Sequence, residues 1–144
     1  MTDIEDTLLV QRLTTSACLP VRQNVDDAGY DISADCHTVI PPKSQRLVST
    51  GIAFTVPKGT YGQISPRSGL SMKGVTVFAG VIDRGYTGEV KVLLYNSSDD
   101  SIELTQGSRI AQLIIKKISL PTVTEVNTLE KSDRGEGGFG STGI

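Results

Sequence analysis

Histidine is almost missing from this chain. His37 is the only one among 144 residues, which excludes any site that needs two imidazoles. Cysteine is nearly as scarce: Cys18 and Cys36 fit no metal-ligand spacing and make no disulfide framework, so reduced thiols in an intracellular compartment are the expectation. No apolar run is long enough to span a membrane, and the acidic segment 1–6 carries no apolar signal run. Formal net charge is -2, with basic residues dispersed instead of gathered in a patch, which argues against a nucleic-acid partner. The chain therefore reads as a soluble intracellular protein that binds neither membrane nor nucleic acid. Its length is that of about one domain, enough to bury a real core.

What the chain does have is short apolar stretches broken by glycine and proline. Residues 28–34 set Tyr30 and Ile32 against Asp31 and Ser33, the period of a half-buried strand, so Asp31 is expected to point away from the core. Strands are also predicted over 7–13, 46–49, 51–56 (Ile52, Phe54 and Val56 on one face), 60–65, 101–105, 109–118 and 123–126. Turns fall at Pro41-Pro42-Lys43 and Pro57-Lys58-Gly59. Ser68 is placed to cap a short helical turn running to Lys73, the only helix expected. Many short strands with Gly/Pro punctuation predict an all-β barrel or sandwich.

One stretch organises the rest: Ala79-Gly80-Val81-Ile82-Asp83-Arg84-Gly85-Tyr86-Thr87-Gly88-Glu89-Val90. A strand-like approach ends at Asp83, a turn follows, and an apolar strand over 90–95 leads away. Gly85 and Gly88 bracket Tyr86, as in a hairpin tip that needs unusual backbone angles. A carboxylate on a stiff strand end suits a base acting on a bound water, and the Tyr86 ring could wall the same cavity. By itself the stretch favours the plainer reading, a hairpin with a surface Asp and a packed Tyr. From Glu130 onward the chain turns glycine-rich and nearly devoid of apolar side chains, with Phe139 its single aromatic. Such a tail is either a mobile end or an arm that closes over a ligand, Phe139 stacking on a flat ring while Arg134, Ser141, Thr142 and backbone amides meet an anion.

Five segments together resemble the motifs of the homotrimeric dUTPase family, in that family's order and spacing. They are Ala28-Gly-Tyr-Asp-Ile-Ser-Ala34, Pro66-Arg-Ser-Gly-Leu70, Ala79-Gly-Val-Ile-Asp-Arg-Gly-Tyr-Thr-Gly88, Gly107-Ser-Arg-Ile-Ala-Gln-Leu113 and Arg134-Gly-Glu-Gly-Gly-Phe-Gly-Ser-Thr-Gly143. The similarity runs over nearly the whole chain. It implies an all-β, jelly-roll-like distorted β-barrel over 1–130, a flexible C-terminal arm over 131–144, and homotrimers with shared active sites. It also implies Mg²⁺-dependent hydrolysis of dUTP to dUMP and pyrophosphate, which limits uracil in DNA and supplies dUMP for thymidylate synthesis.

The resemblance further implies roles. Asp83 matches the water-activating carboxylate, and Gln112 the glutamine at the α-phosphate. Tyr86 matches the residue packed under deoxyribose, which excludes a 2′-hydroxyl by sterics. Gly80, Val81 and Ile82 supply backbone groups to uracil. Arg67, Ser68 and Gly69 look like the phosphate cradle, and Asp31 is expected to hold metal-bound waters and not the metal itself. Arg134 would take the γ-phosphate, Phe139 would stack on uracil, and Gly140, Ser141 and Thr142 would complete the arm. Arg109 is left out of the chemistry. Gln63, Ser65, Thr76, Phe78, Gly85 and Ser108 depart from the family's usual residues, and bear on affinity and loop geometry. Two rival readings stay open at this point: a nucleotide-gated interaction protein on the same fold, and a related dCTP deaminase, which needs a glutamate base where this chain has Asp83.

Overall fold

A computed structural model describes residues 6–140. Its strands are β1 (Leu9–Arg12), β2 (Gly29–Ser33), β3 (Thr38–Ile40), β4 (Ser44–Ser49), β5 (Ile52–Thr55) and β6 (Thr60–Ser65). After one helical turn, α1 (Ser68–Ser71), come β7 (Val75–Phe78), β8 (Val81–Ile82), β9 (Lys91–Asn96), β10 (Ile102–Leu104) and β11 (Arg109–Lys117). All ladders are antiparallel and form four sheets, ordered β1-β5, β10-β3, β2-β11-β6-β8 and β4-β9-β7. The protein is thus all-β and jelly-roll-like, with one short helix and no closed barrel among the described residues.

The core follows from alternation along the strands. In β9, Val92, Leu94 and Asn96 turn inward while Lys91, Leu93 and Tyr95 do not. They meet Ile32, Ile40, Val48, Ile52, Phe54, Val56, Ile110 and Leu113, all buried in one cluster. Each such side chain contributes about 1.5–3 kcal/mol by leaving water. The polar member, Asn96, is 0% exposed and fully bonded. Its Nδ2 donates to the carbonyls of Ile40 (3.0 Å), Pro41 (3.2 Å) and Asp100 (2.7 Å), and its Oδ1 accepts from the Ser98 amide (3.0 Å) and hydroxyl (2.7 Å). One side chain therefore ties the end of β3 to the turn after β9.

Four local expectations change. The organising stretch is no simple hairpin: β7 pairs with β9 (Phe78↔Leu93), and residues 79–90 form an excursion whose β8 crosses to β6 (Gly62↔Ile82, Gln63↔Val81). Its unusual backbone angles lie at Ala79 (φ 59°) and Gly80 (φ 109°), where the chain leaves one sheet for another, and not at Gly85 or Gly88. Ser68 is the first residue of α1 and not its cap; Arg67 holds that place in extended backbone and makes no side-chain cap bond. Residues 123–126 form no strand: among the described residues none pairs with them, and an unpaired strand does not hold alone.

Candidate active site

Two groups of sequence-predicted residues come together, in separate places. The first gathers around the excursion. Main-chain bonding of β8 to β6, and of Ile64 N–H to the Gly80 carbonyl (2.7 Å), fixes the approach to Asp83. The Asp83 carbonyl then accepts the Tyr86 N–H (3.0 Å), closing a turn, and the Tyr86 hydroxyl donates to the Glu89 carbonyl (2.6 Å). Asp83 and Tyr86 are exposed and line an open cleft of about 350 Å³ with Leu47, Val81, Ile82, Glu89 and Lys91. That volume is within the range of small-molecule sites. Gly80 lines an adjoining cleft that shares Leu47, Val81, Ile82 and Lys91. Glycine is required there: a Cβ at position 80 would sit 2.6 Å from the Ile64 carbonyl oxygen, at a φ that side chains rarely adopt.

The second group is built on β2, β11 and the α1 turn. Asp31 of β2 lies opposite Gln112 of β11, and its side chain is only 16% exposed. Arg67 Nε stands 3.5 Å from Asp31 Oδ1, Arg109 Nη1 3.8 Å from Oδ2, and Gln23 Nε2 donates to Oδ2 at 2.8 Å. Arg67 Nη1 also donates to the Arg109 carbonyl (3.2 Å), so the two guanidinium groups flank one carboxylate. Gln112 reaches this place because β11 carries a bulge between Arg109 and Ala111. Ile110 and Ala111 are both buried, and Arg109 and Gln112 on either side of them both turn out of the core. The Gln112 amide donates to the Pro66 carbonyl (2.9 Å) and lies over Gly29, where any Cβ would meet it. Arg67, Gly69, Lys73, Ser108 and Arg109 line a second open cleft, and Ser68 is exposed beside it.

The two clefts share no lining residue, so this chain does not bring Asp83 and Arg67 into one cavity. The described arm residues line neither cleft. Arg134 Nε donates to the Gly137 carbonyl within its own turn, and Phe139 is fully exposed. Gly140 follows in the open; Ser141 and Thr142 lie outside the described residues. Glu89 and Lys91, just past the third motif, are not singled out by the sequence, and Arg109, inside the fourth motif, is named there only to be left out of the chemistry. Two departures find local explanations. Phe78 stacks on Tyr95 (centroids 5.2 Å apart, planes 20°), and Ser108 Oγ accepts the Thr105 N–H (3.0 Å), closing the turn into β11.

No three His, Cys, Asp or Glu side chains converge on a possible metal position among the described residues. Asp31 offers hard oxygen donors, but both already face N–H groups. The carboxylate thus fits an outer position toward Mg²⁺, reached through water, better than direct ligation. No helix among the described residues is long and apolar enough to cross a membrane.

Fold and clefts together define a small all-β protein with one open pocket built on backbone and a carboxylate, and a second lined by guanidinium groups. Over residues 15–143 the sequence matches the family described as dUTPase. Among curated relatives, the deoxyuridine 5′-triphosphate nucleotidohydrolase of Paramecium bursaria Chlorella virus 1 is 51% identical over 138 residues, covering 95% of this chain and 98% of that protein. The Saccharomyces cerevisiae protein of the same name is 50% identical over 146 residues, covering 99% of each. Among solved structures, Staphylococcus bacteriophage 80alpha dUTPase with dUPNHPP superposes with a TM-score of 0.89 at 32% identity, covering 96% of this chain and 99% of that one. The chain belongs to the dUTPase family, and so among the hydrolases of nucleotide metabolism.

Proposed function

We propose that this dUTP diphosphatase cleaves dUTP to dUMP and pyrophosphate by in-line attack of water on the α-phosphorus, with Asp83 as the base. The observation that carries the reading is the placement of Asp83. It is an exposed carboxylate at the end of β8, sharing a cleft with Tyr86 and with the backbone of Val81 and Ile82. A carboxylate held there accepts a hydrogen bond from a water, orients one lone pair toward phosphorus, and takes the proton as the new bond forms. With His37 bonded to Glu103 far along the chain, no imidazole competes for that role.

Selectivity resides in the same excursion. Backbone N–H and C=O groups at Gly80, Val81 and Ile82 pair with uracil; cytosine reverses those polarities and leaves buried groups unpaired. The Tyr86 ring lies against deoxyribose and leaves no room for a 2′-hydroxyl. The second cleft takes the triphosphate: Arg67 spreads charge over phosphate oxygens, the Ser68 hydroxyl and Gly69 amide donate to them, and the Gln112 amide meets the α-phosphate. When bound, Mg²⁺ neutralises charge on the triphosphate, and Asp31 holds its waters by hydrogen bonds; relatives include a phage phi11 dUTPase described with a structural Mg(II) ion.

Since the Asp83 cleft and the Arg67 cleft share no residue, a complete site needs a second copy to bring one against the other. That is the arrangement of a homotrimer with shared sites. The barrel-like domain spans 1–130 and the arm 131–144. Arg134 takes the γ-phosphate, Phe139 stacks on uracil, and Gly140, Ser141 and Thr142 close over the phosphates. In an intracellular setting the reaction keeps uracil out of DNA and feeds dUMP to thymidylate synthesis. The test is Asp83→Asn, assayed for pyrophosphate release and for binding of a non-hydrolysable dUTP analogue. Binding is retained and turnover falls by about 10²–10⁴; turnover near that of the parent removes Asp83 as base.

A further inference from the structure

Glu89 stands just after the turn that carries Asp83 and Tyr86, and joins two things that are otherwise far apart in sequence. Its backbone carbonyl accepts the Tyr86 hydroxyl at 2.6 Å. Its carboxylate Oε2 accepts the Gly51 N–H at 3.0 Å, across 38 residues of chain. The carboxylate is 28% exposed, and Lys91 Nζ approaches its other oxygen to 4.0 Å.

Gly51 is a firm anchor. It makes the break between β4 and β5 at φ 71°, and a Cβ there would come within 2.7 Å of both Asp35 Oδ2 and Thr14 Oγ1. The Asp35 carboxylate is itself held by the Thr14 (2.8 Å) and Ser16 (2.7 Å) hydroxyls, and the Gly51 carbonyl accepts the Leu13 N–H (2.7 Å). On the far side of Glu89, Val90 is buried, donates its N–H to the Ile52 carbonyl (2.8 Å) and accepts the Thr50 hydroxyl. By contrast, residues 83–88 are exposed throughout. The charge-assisted bond from the Gly51 N–H to Glu89, the residue that follows that open turn, is therefore a strong member of the set that locates the Tyr86 ring.

We infer that Glu89 is a positioning residue for substrate selection: its carboxylate, bound to the Gly51 N–H, joins the Val90 N–H bond to Ile52 in holding the peptide whose carbonyl supports the Tyr86 hydroxyl, and so helps set how closely the ring approaches the 2′ carbon of the sugar. The inference deepens, and rests on, the reading that Tyr86 excludes ribonucleotides. Glutamine at position 89 keeps an oxygen acceptor for the Gly51 N–H; alanine keeps none.

The test uses the full-length protein with Mg²⁺ and compares kcat and KM on dUTP and UTP for the parent, Glu89→Ala and Glu89→Gln, alongside amide hydrogen exchange at Gly51. Glu89→Ala is expected to lower the ratio of kcat/KM for dUTP over UTP by about tenfold, through a raised KM for dUTP and gained turnover of UTP. Gly51 exchange quickens in the same variant, and Glu89→Gln restores both readouts. An unchanged ratio in Glu89→Ala, unchanged Gly51 protection, or a loss in Glu89→Gln equal to that in alanine overturns the inference. A parent protein that hydrolyses dUTP and UTP alike refutes the Tyr86 reading and this inference with it. A parent that discriminates while Glu89→Ala discriminates equally well overturns this inference alone.

Discussion

Gly29→Ala is a substitution whose effect falls on a different residue. A Cβ at position 29 would lie 2.1 Å from Gln112 Oε1, 2.9 Å from its Cδ and 3.0 Å from its Cβ. Gly29 sits in β2, in extended backbone that alanine adopts freely, so the strain is relieved by swinging the Gln112 amide aside. That movement breaks the 2.9 Å bond from Nε2 to the Pro66 carbonyl, worth about 1 kcal/mol net. The freed groups are near the surface and find water. The stiffer unfolded chain returns about 0.4–1 kcal/mol. The close Cβ–Cβ approach adds a small opening of the β2–β11 ladder. Net destabilisation stays within about 1 kcal/mol, a shift of about 2–4 °C in Tm.

Activity responds on another scale. If Gln112 donates to an α-phosphate oxygen, losing that charged hydrogen bond costs about 1.5–3 kcal/mol, or 10- to 100-fold in turnover. The assay pairs pyrophosphate release from dUTP with a thermal melt, and uses Gln112→Ala as reference. The two single variants should lose activity alike and the double variant no further, because both remove one contact. Parent-level turnover in Gly29→Ala and Gln112→Ala would remove Gln112 from the chemistry. Losses that simply add would show that Gly29 acts by another route.

Three further outcomes are expected. Gly80→Ala forces a side chain into φ 109° with its Cβ 2.6 Å from the Ile64 carbonyl oxygen; a cost of about 3 kcal/mol lowers Tm by about 6–12 °C in a thermal melt, and an unchanged melt would refute the close approach. Asn96→Ala strips donors from the carbonyls of Ile40, Pro41 and Asp100 and the acceptor from Ser98, for a loss of about 3–5 kcal/mol measured by denaturant titration. Removing residues 134–144 leaves a folded protein with little dUTP turnover, judged by size-exclusion chromatography, melting and pyrophosphate release; a misfolded product makes the arm structural instead.

Much of this architecture is local and so is legible along the chain. The alternation in β2, the inward face of Ile52, Phe54 and Val56, the Pro57 turn (Thr60 N–H to Pro57 carbonyl, 3.2 Å) and the position of Asp83 at a strand end each depend on a few neighbouring residues. What depends on distant partners is not. The two residues of β8 carry no signal that they belong with β6 instead of continuing a hairpin, and the three residues of β3 are too short to show a period. Residues 123–126 look strand-like by composition, but strands form by pairing. The flanking of Asp31 by Arg67 and Arg109 joins three motifs, none of which implies the contact alone. The strained angle at Ala79 is likewise invisible, since alanine is no marker for a positive φ.

The bulge in β11 makes that segment more tolerant of altered chemistry than of altered length. With one surplus residue between Arg109 and Ala111, two neighbours share the oily interior, and the residues on either side of them emerge together toward solvent. Removing Ile110 would restore strict alternation with Arg109 and Gln112 still facing outward, but it would take a whole buried side chain out of the interior and erase the local bend that the bulge supplies. A swap of Ile110 for valine asks only for slightly looser packing. Point exchanges and single-residue deletions in this strand therefore belong to different orders of risk for any redesign.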